Sequence, residues 1–475
     1  MGNYATMRHV LHIYIKMVLL SLLTIGTLHG QTGSTVQYTV THPVGSQKLF
    51  IEIACEGVST NDSWLVIPRS GPGTYEMTDY LQFVSNVKAT TTSGKELTGV
   101  IGRGSLFHFQ EKDEEMIRVI YEVDIHKMEM ELFGAFASSK LRENYLGILG
   151  YSVFGYIEGM QDETIAVEFI SEAGWPIFST LAPTGSRPHG RASYTAQNFG
   201  LLADAQFLLG DGVQIYEVTE APIPLFVAAY SESDLDIQEL GRRGLVSLVG
   251  LAEYFGSIPM PHYTMCHEFL IPLDIRHDYG FSMEHLNSMT MSMDTSAAVT
   301  GFDPNARIGS IVHHMGHAWI PLRSYGEGYR PFEWETAPLI ETIWLNEGFT
   351  WYVSYYHVLN DKSILDYFNS VVDSAPDYIN RKSLRELSLL GSTQYGADFR
   401  IGRNLFSRGA LLAYELDLFI TEKSNGQKSF KDVMNGFLDW TEKNGRAFRY
   451  EEIPDIMSAA AGVDISDIWE KWQRP

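Results

Sequence analysis

His313-His314-Met315-Gly316-His317 opens, and Leu345-Asn346-Glu347-Gly348-Phe349 closes, the stretch on which the reading of this chain turns. Two histidines at i and i+4 share one helical face, so both imidazoles reach a single metal ion. A carboxylate on a following helix completes three protein ligands and leaves the fourth position to water, which is a catalytic zinc arrangement. The candidate ligands are therefore His313, His317 and Glu347. In the pattern His-Glu-x-x-His the second residue is the glutamate that serves as general base; here that residue is His314. The residues alone leave two readings of Glu347 open. Set among Ile343, Trp344 and Phe349, it is a carboxylate that needs a partner to be buried, or it faces solvent and pairs with Arg323.

Outward from this stretch the pattern is strands first, helices later. Val36–Val40, Leu49–Ile53, Ile117–Val123 and Ile165–Phe169 are β-branched and aromatic runs, separated by turn formers. Among those turns, Ser70-Gly71-Pro72-Gly73-Thr74-Tyr75 is the strongest signal. Short strands without a long helical period predict a β-sandwich over residues 31–204. From residue 205 onward, Ser233 and Asp234 are positioned to cap a helix whose stripe is Ile237, Leu240, Leu245, Leu248, Leu251 and Phe255, ended by Gly256. Tyr263–Ile271 and Leu286–Met291 read as strands. Asp303-Pro304 reads as the start of the histidine helix, with Pro321 its stop. Thr336 and Pro338 read as the start of the helix that carries Glu347. Beyond residue 360 helices dominate: Leu405–Ile420, Phe430–Trp440, Ile453–Ala461 and Ile465–Trp472. The fold class is α+β, with a β domain at 31–204 and a metal-bearing domain with a helical C-terminal lobe at 205–475.

Composition narrows the function. A formal net charge of -23 over 475 residues opposes nucleic acid and anionic membrane surfaces as partners. Residues 1–30 read as a signal peptide, with Arg8 and Lys16 ahead of the apolar run Met17–Ile25 and the small residues Gly26, Thr27 and Gly30 after it. The run is short for a spanning helix, so the expected location is exported, periplasmic or secreted, either cleaved or retained by an N-terminal anchor. Cys55 and Cys266 are the two cysteines; each sits in a strand-like run, and both are expected to be buried free thiols.

With these residues in place, the chain resembles the glycyl aminopeptidase family of zinc metallopeptidases. The resemblance rests on Pro72-Gly73-Thr74-Tyr75 with Asp79, Phe255-Gly256, Gly280-Phe281-Ser282-Met283-Glu284-His285-Leu286-Asn287-Ser288, His317-Ala318-Trp319, Trp344–Thr350 and Arg408-Gly409-Ala410-Leu411. It implies a thermolysin-like zinc domain in which His313, His317 and Glu347 are the ligands. It further implies that Glu284 lies on an edge strand of the cleft and receives the free α-amino group of a peptide. In working members the motif glutamate takes the proton of the attacking water, and a tyrosine hydroxyl stabilises the oxyanion. Here those positions hold His314 and Phe406.

The expected function is an exported zinc-binding, metallopeptidase-like protein whose hydrolysis is impaired, a pseudoenzyme that retains a cleft for peptide N-termini. Two alternatives stay open at this stage. One is an active aminopeptidase that uses His314 as base, with Tyr395 a neighbouring source of hydroxyl. The other is an interaction protein that has lost its metal. Relatives with an added C-terminal peptide-binding domain of the PDZ type lead to the expectation that contacts here come from the cleft or the β domain, since helix Ile465–Trp472 is followed closely by Pro475.

Overall fold

The computed structural model describes residues 35–474, apart from 62, 103, 110–112, 133–136, 278, 296–307 and 331. The signal segment and the Asp303-Pro304 cap lie outside the described residues. Val36–Pro475 form one compact unit.

The first half is built on a ten-stranded sheet and a four-stranded sheet. Lys48–Ser59 and Glu115–Asp124 pair antiparallel at the heart of the larger sheet, with Leu49 opposite Val123 and Ile53 opposite Val119. Alternation explains why they stay there: Leu49, Ile51 and Ile53 all point inward and are buried, which fixes the register because a one-residue slip would turn them all outward. The smaller sheet contains Lys140–Arg142, Tyr145–Leu149, Gln206–Leu209 and Ile177–Ser179. Both cysteines are buried and free.

A five-stranded mixed sheet follows. Leu225–Ser231, Tyr263–Leu270 and Ser288–Asp294 run parallel, and Gly280–His285 returns antiparallel along one edge. The expected strand over Leu286–Met291 is corrected: Leu286 and Asn287 form the tight turn of this hairpin, and the strand begins at Ser288. Tyr263–Leu270 is buried at every position, because helices cover one face and the four-stranded sheet the other. One such helix is Ile237–Phe255, on which Leu240, Leu248, Leu251 and Phe255 are buried. Its cap is Asp236, accepting from the Glu239 amide, rather than Ser233 or Asp234; Gly256 ends it at φ 81°, a left-handed value glycine adopts freely.

The helices that carry the central motif are shorter or wider than expected. Ile308–Gly316 holds His313 and His314, and His317 falls in the turn just beyond. The helix bearing Glu347 does not begin at Thr336 or Pro338; Ile340 lies outside any helix and is tied through its amide and carbonyl to the Ser392 hydroxyl. The helix starts at Ile343, with wide π turns over Trp344–Phe349 and again over Tyr352–Val358. The helical lobe then follows the expected order, with Phe399–Lys423, Phe430–Asn444, Ile453–Ala461 and Ser466–Gln473. Among the described residues no helix is long and apolar enough to cross a membrane.

Candidate metal centre

Each ligand candidate is placed by a local device. The His317 amide donates to the His313 carbonyl at 3.2 Å, which continues the helical path for one residue and keeps the two imidazoles on one face. His317 Nδ1 lies 3.0 Å from the Ile320 carbonyl oxygen, so that nitrogen donates and Nε2 turns to the cluster. Glu347 comes from the π segment Trp344–Phe349. It can approach the histidines because the next residue, Gly348, touches Gly409 of helix Phe399–Lys423: a Cβ on Gly348 would stand 2.5 Å from the Gly409 Cα.

The result is a tight triangle. Glu347 Oε2 lies 3.2 Å from His313 Nε2 and 3.2 Å from His317 Nε2, and the two nitrogens are 3.1 Å apart. All three side chains are buried, and their ligand atoms lie within 4.8 Å of one another. Bonds of about 2.0–2.1 Å at tetrahedral angles separate neighbouring zinc ligands by about 3.3–3.4 Å, so the spacing and the donor types fit zinc.

Charge in the cluster follows from crowding. Burial would raise Glu347, but His317 and then His313 hold its carboxyl far below the ordinary range. Burial would lower His317, yet Glu347 and Glu284 outweigh it and lift the imidazole to about 9. Burial and the neighbouring His317 push His313 down to about 4. His314 is lowered well below its ordinary value, first by burial and then by His313 and His317. Its Nδ1 lies 2.8 Å from the Ser310 carbonyl oxygen, which makes that nitrogen the donor.

Glu284 lies on the edge strand Gly280–His285, opposite Met289. It is buried, accepts from the Tyr329 hydroxyl at 3.4 Å, and rests against Gly73. Burial pushes its carboxyl up to about 7, with Glu347 adding to the rise and His317 opposing it. Phe406 is buried on helix Phe399–Lys423, edge-on to Trp351 at 5.4 Å between ring centres and parallel to Tyr395 at 5.8 Å. Trp351 in turn stands 6.0 Å from His313.

Arg323 is not the partner of Glu347. Its guanidinium bonds the Leu286 and Ala318 carbonyls and Asn287 Oδ1. Two residues near the cluster were not foreseen as site residues. Tyr75 donates to Glu347 Oε1 at 2.8 Å, and Tyr329 reaches Glu284. The sequence signal for Tyr75 was its place in the Pro72-Gly73-Thr74-Tyr75 turn; Tyr329 had none.

The fold is similar to that of aminopeptidase-like metallopeptidases of known structure. Residues 37–211 match the family model described as the Peptidase M61 N-terminal domain. The chain is similar to an aminopeptidase N family protein from Idiomarina loihiensis, with 19% identity over 92% of this chain and 76% of that one and a TM-score of 0.77. It is also similar to an M1 zinc metallopeptidase from Deinococcus radiodurans, at 12% identity, 94% of each chain and a TM-score of 0.53. A mutant of that enzyme bound to a Tyr-Ser-Ala substrate gives 12% identity, 94% of this chain, 95% of that one and a TM-score of 0.52. No curated protein matches the chain.

Proposed function

We propose that this chain is an exported zinc-binding protein, resembling the glycyl aminopeptidases, that holds peptides by a free N-terminus and hydrolyses them weakly or not at all. The observation that carries the reading is the mismatch at the metal centre. His313, His317 and Glu347 are grouped closely enough to hold a metal ion, while the residue beside them, His314, is a neutral imidazole turned back on the Ser310 carbonyl. Zinc bound there would supply a Lewis acid and an acidified water. The chain's own groups supply less. His314, held far below neutrality by burial, is a poor proton acceptor, and Phe406 offers a ring without a donor. Glu284, forced toward neutrality by burial, regains its charge when an ammonium group arrives, so it suits a peptide amino terminus.

The finer architecture belongs to the same reading: a β-sandwich over residues 31–204 and a thermolysin-like domain over 205–475. It is supported by two large apolar cores, one drawn chiefly from Val36–Leu209 and the other chiefly from Val218–Ile468. Export is supported by residues 1–30, and the net charge of -23 supports a partner other than nucleic acid.

Zinc content and turnover of unblocked peptides, measured in one preparation, test the proposal. Expected is one zinc per chain, lost in His317→Ala, with turnover that rises by about 10²-fold or more in the His314→Glu/Phe406→Tyr double variant. Wild-type turnover equal to that of the double variant would refute impairment. One observation favours a second reading, an active enzyme: the Tyr395 ring stacks on Phe406 and meets Tyr75 edge-on at 6.4 Å, which brings a hydroxyl-bearing side chain next to Phe406. Appreciable wild-type turnover abolished by Tyr395→Phe would select it.

A further inference from the structure

We infer that Tyr75 is a positioning residue for the metal centre: its hydroxyl holds Glu347 so that one carboxylate oxygen alone faces the histidine pair. The inference rests on the reading of His313, His317 and Glu347 as a metal site. A carboxylate offers two oxygens, and either or both can bind a cation. In Glu347 they are divided. Oε2 stands 3.2 Å from both histidine nitrogens, and Oε1 accepts from Tyr75 at 2.8 Å. A donor on Oε1 fixes the rotation of the carboxylate and keeps that oxygen from turning inward as a further ligand. Such outer partners set the orientation of metal-binding side chains.

The turn that delivers Tyr75 is built for this contact. Tyr75 has φ 48°, a left-handed conformation uncommon for any residue but glycine and exceptional for a bulky one. A local outlier of this kind persists only where surrounding structure compels it. The compulsion is visible. Thr74 Oγ1 donates to the Gly71 carbonyl at 2.8 Å and meets Ser70 Oγ at 3.2 Å, while Ser70 Oγ donates to the Glu76 carbonyl at 2.9 Å. Gly73, at φ 83°, leaves no space for a side chain, since a Cβ would fall 2.6 Å from Glu284 Oε1. One turn from the β-rich half therefore seats both carboxylates, Glu284 through its backbone and Glu347 through a hydroxyl. Tyr75 itself is buried with the core of the other half. A tyrosine that served only to fill that core would need neither the strained backbone nor an anionic acceptor.

The test is equilibrium zinc affinity by chelator competition on the full chain, with the melting temperature of the metal-free protein measured beside it. Tyr75→Phe keeps the ring and removes the hydroxyl. Its zinc affinity is expected to fall roughly 10–100-fold, while the metal-free protein still folds and its melting temperature is lowered only by the lost bond to a buried carboxylate. In a Glu347→Ala background the same substitution is expected to add no further loss, because the hydroxyl acts through that carboxylate. Thr74→Ala loosens the turn without touching the tyrosine and is expected to weaken zinc in the same direction, which keeps the idea testable should the phenylalanine variant not fold. Unchanged zinc affinity in the variants that fold overturns the inference, as does an equal loss with and without Glu347. Failure of the wild-type chain to take up zinc refutes the metal-centre reading itself, and this inference with it.

Discussion

Replacing Gly409 by alanine tests the placement of Glu347 through its packing. A Cβ at this position would lie 2.1 Å from the Trp344 carbonyl oxygen and 3.1 Å from the Gly348 Cα. Carbon contacts settle at about 3.5–4.0 Å, so helix Phe399–Lys423 and the π segment Trp344–Phe349 must part by about 1 Å. Overpacking of this kind costs about 1–3 kcal/mol and sometimes more. Against it stands the better helix propensity of alanine, worth about 0.8–1.0 kcal/mol. The net loss comes to about 0–2 kcal/mol. The site suffers more than the fold, because Glu347 precedes Gly348 directly and a metal site tolerates ligand displacements of only about 0.2 Å. Urea unfolding of the metal-free protein measures the first effect, and chelator competition for zinc the second. Gly391→Ala is the matched control: it is also a buried helical glycine, but its new Cβ would meet Ile343 and Leu405 at 3.6 Å, an ordinary contact. Gly391→Ala should be neutral or stabilising and leave zinc affinity intact. If Gly409→Ala behaved the same way in both assays, the argument that glycine contact positions Glu347 would be wrong.

Two further outcomes follow from buried charges. Lys140 is fully buried and lies 3.3 Å from Glu268, whose other oxygen accepts from Tyr145 at 2.6 Å. Lys140→Met should cost about 3–5 kcal/mol in urea unfolding by stranding the carboxylate, and Lys140→Met/Glu268→Gln should recover most of it; a double variant as weak as the single one would contradict this. Glu129 is likewise buried, and burial alone would raise its carboxyl, but bonds and charge from Arg142, then Lys140, hold it below its ordinary value. Its stabilisation is therefore present above the ordinary carboxyl value of about 4.3 and is lost as pH falls through the depressed one. The stability of wild type should drop more steeply below about pH 4 than that of Glu129→Gln, and parallel unfolding curves would rule out this source of acid sensitivity.

The parts of the site that were legible in the sequence are those governed by short-range geometry. His313 and His317 can be paired on paper because a helix brings i and i+4 together, and Glu347 stood out as a carboxylate among apolar neighbours. Gly256 was readable as a helix stop for the same local reason. Errors came where a local signal competed with a distant contact. Pro338 looks like a helix start, yet the Ile340 amide is taken by Ser392, far along the chain. Leu286 looks like a strand residue, but it sits in a two-residue turn whose conformation is supported by the Leu286 amide donating to Asp204. The roles assigned to Glu284 and Phe406 came from resemblance, since neither position has a spacing that reveals it. The approach of Tyr75 to Glu347 was beyond local reading altogether, being a contact across 272 residues.

That separation also has a kinetic meaning. Contacts between residues so remote in sequence close only after much of the intervening chain has been ordered, and here the β-rich half must be docked before the tyrosine can reach its carboxylate. The histidine pair can form early, since it needs only one turn of helix. Zinc capture at full strength would then come at the end of folding, so the rate at which a refolding chain acquires tight metal binding reports the docking of its two halves rather than the formation of either.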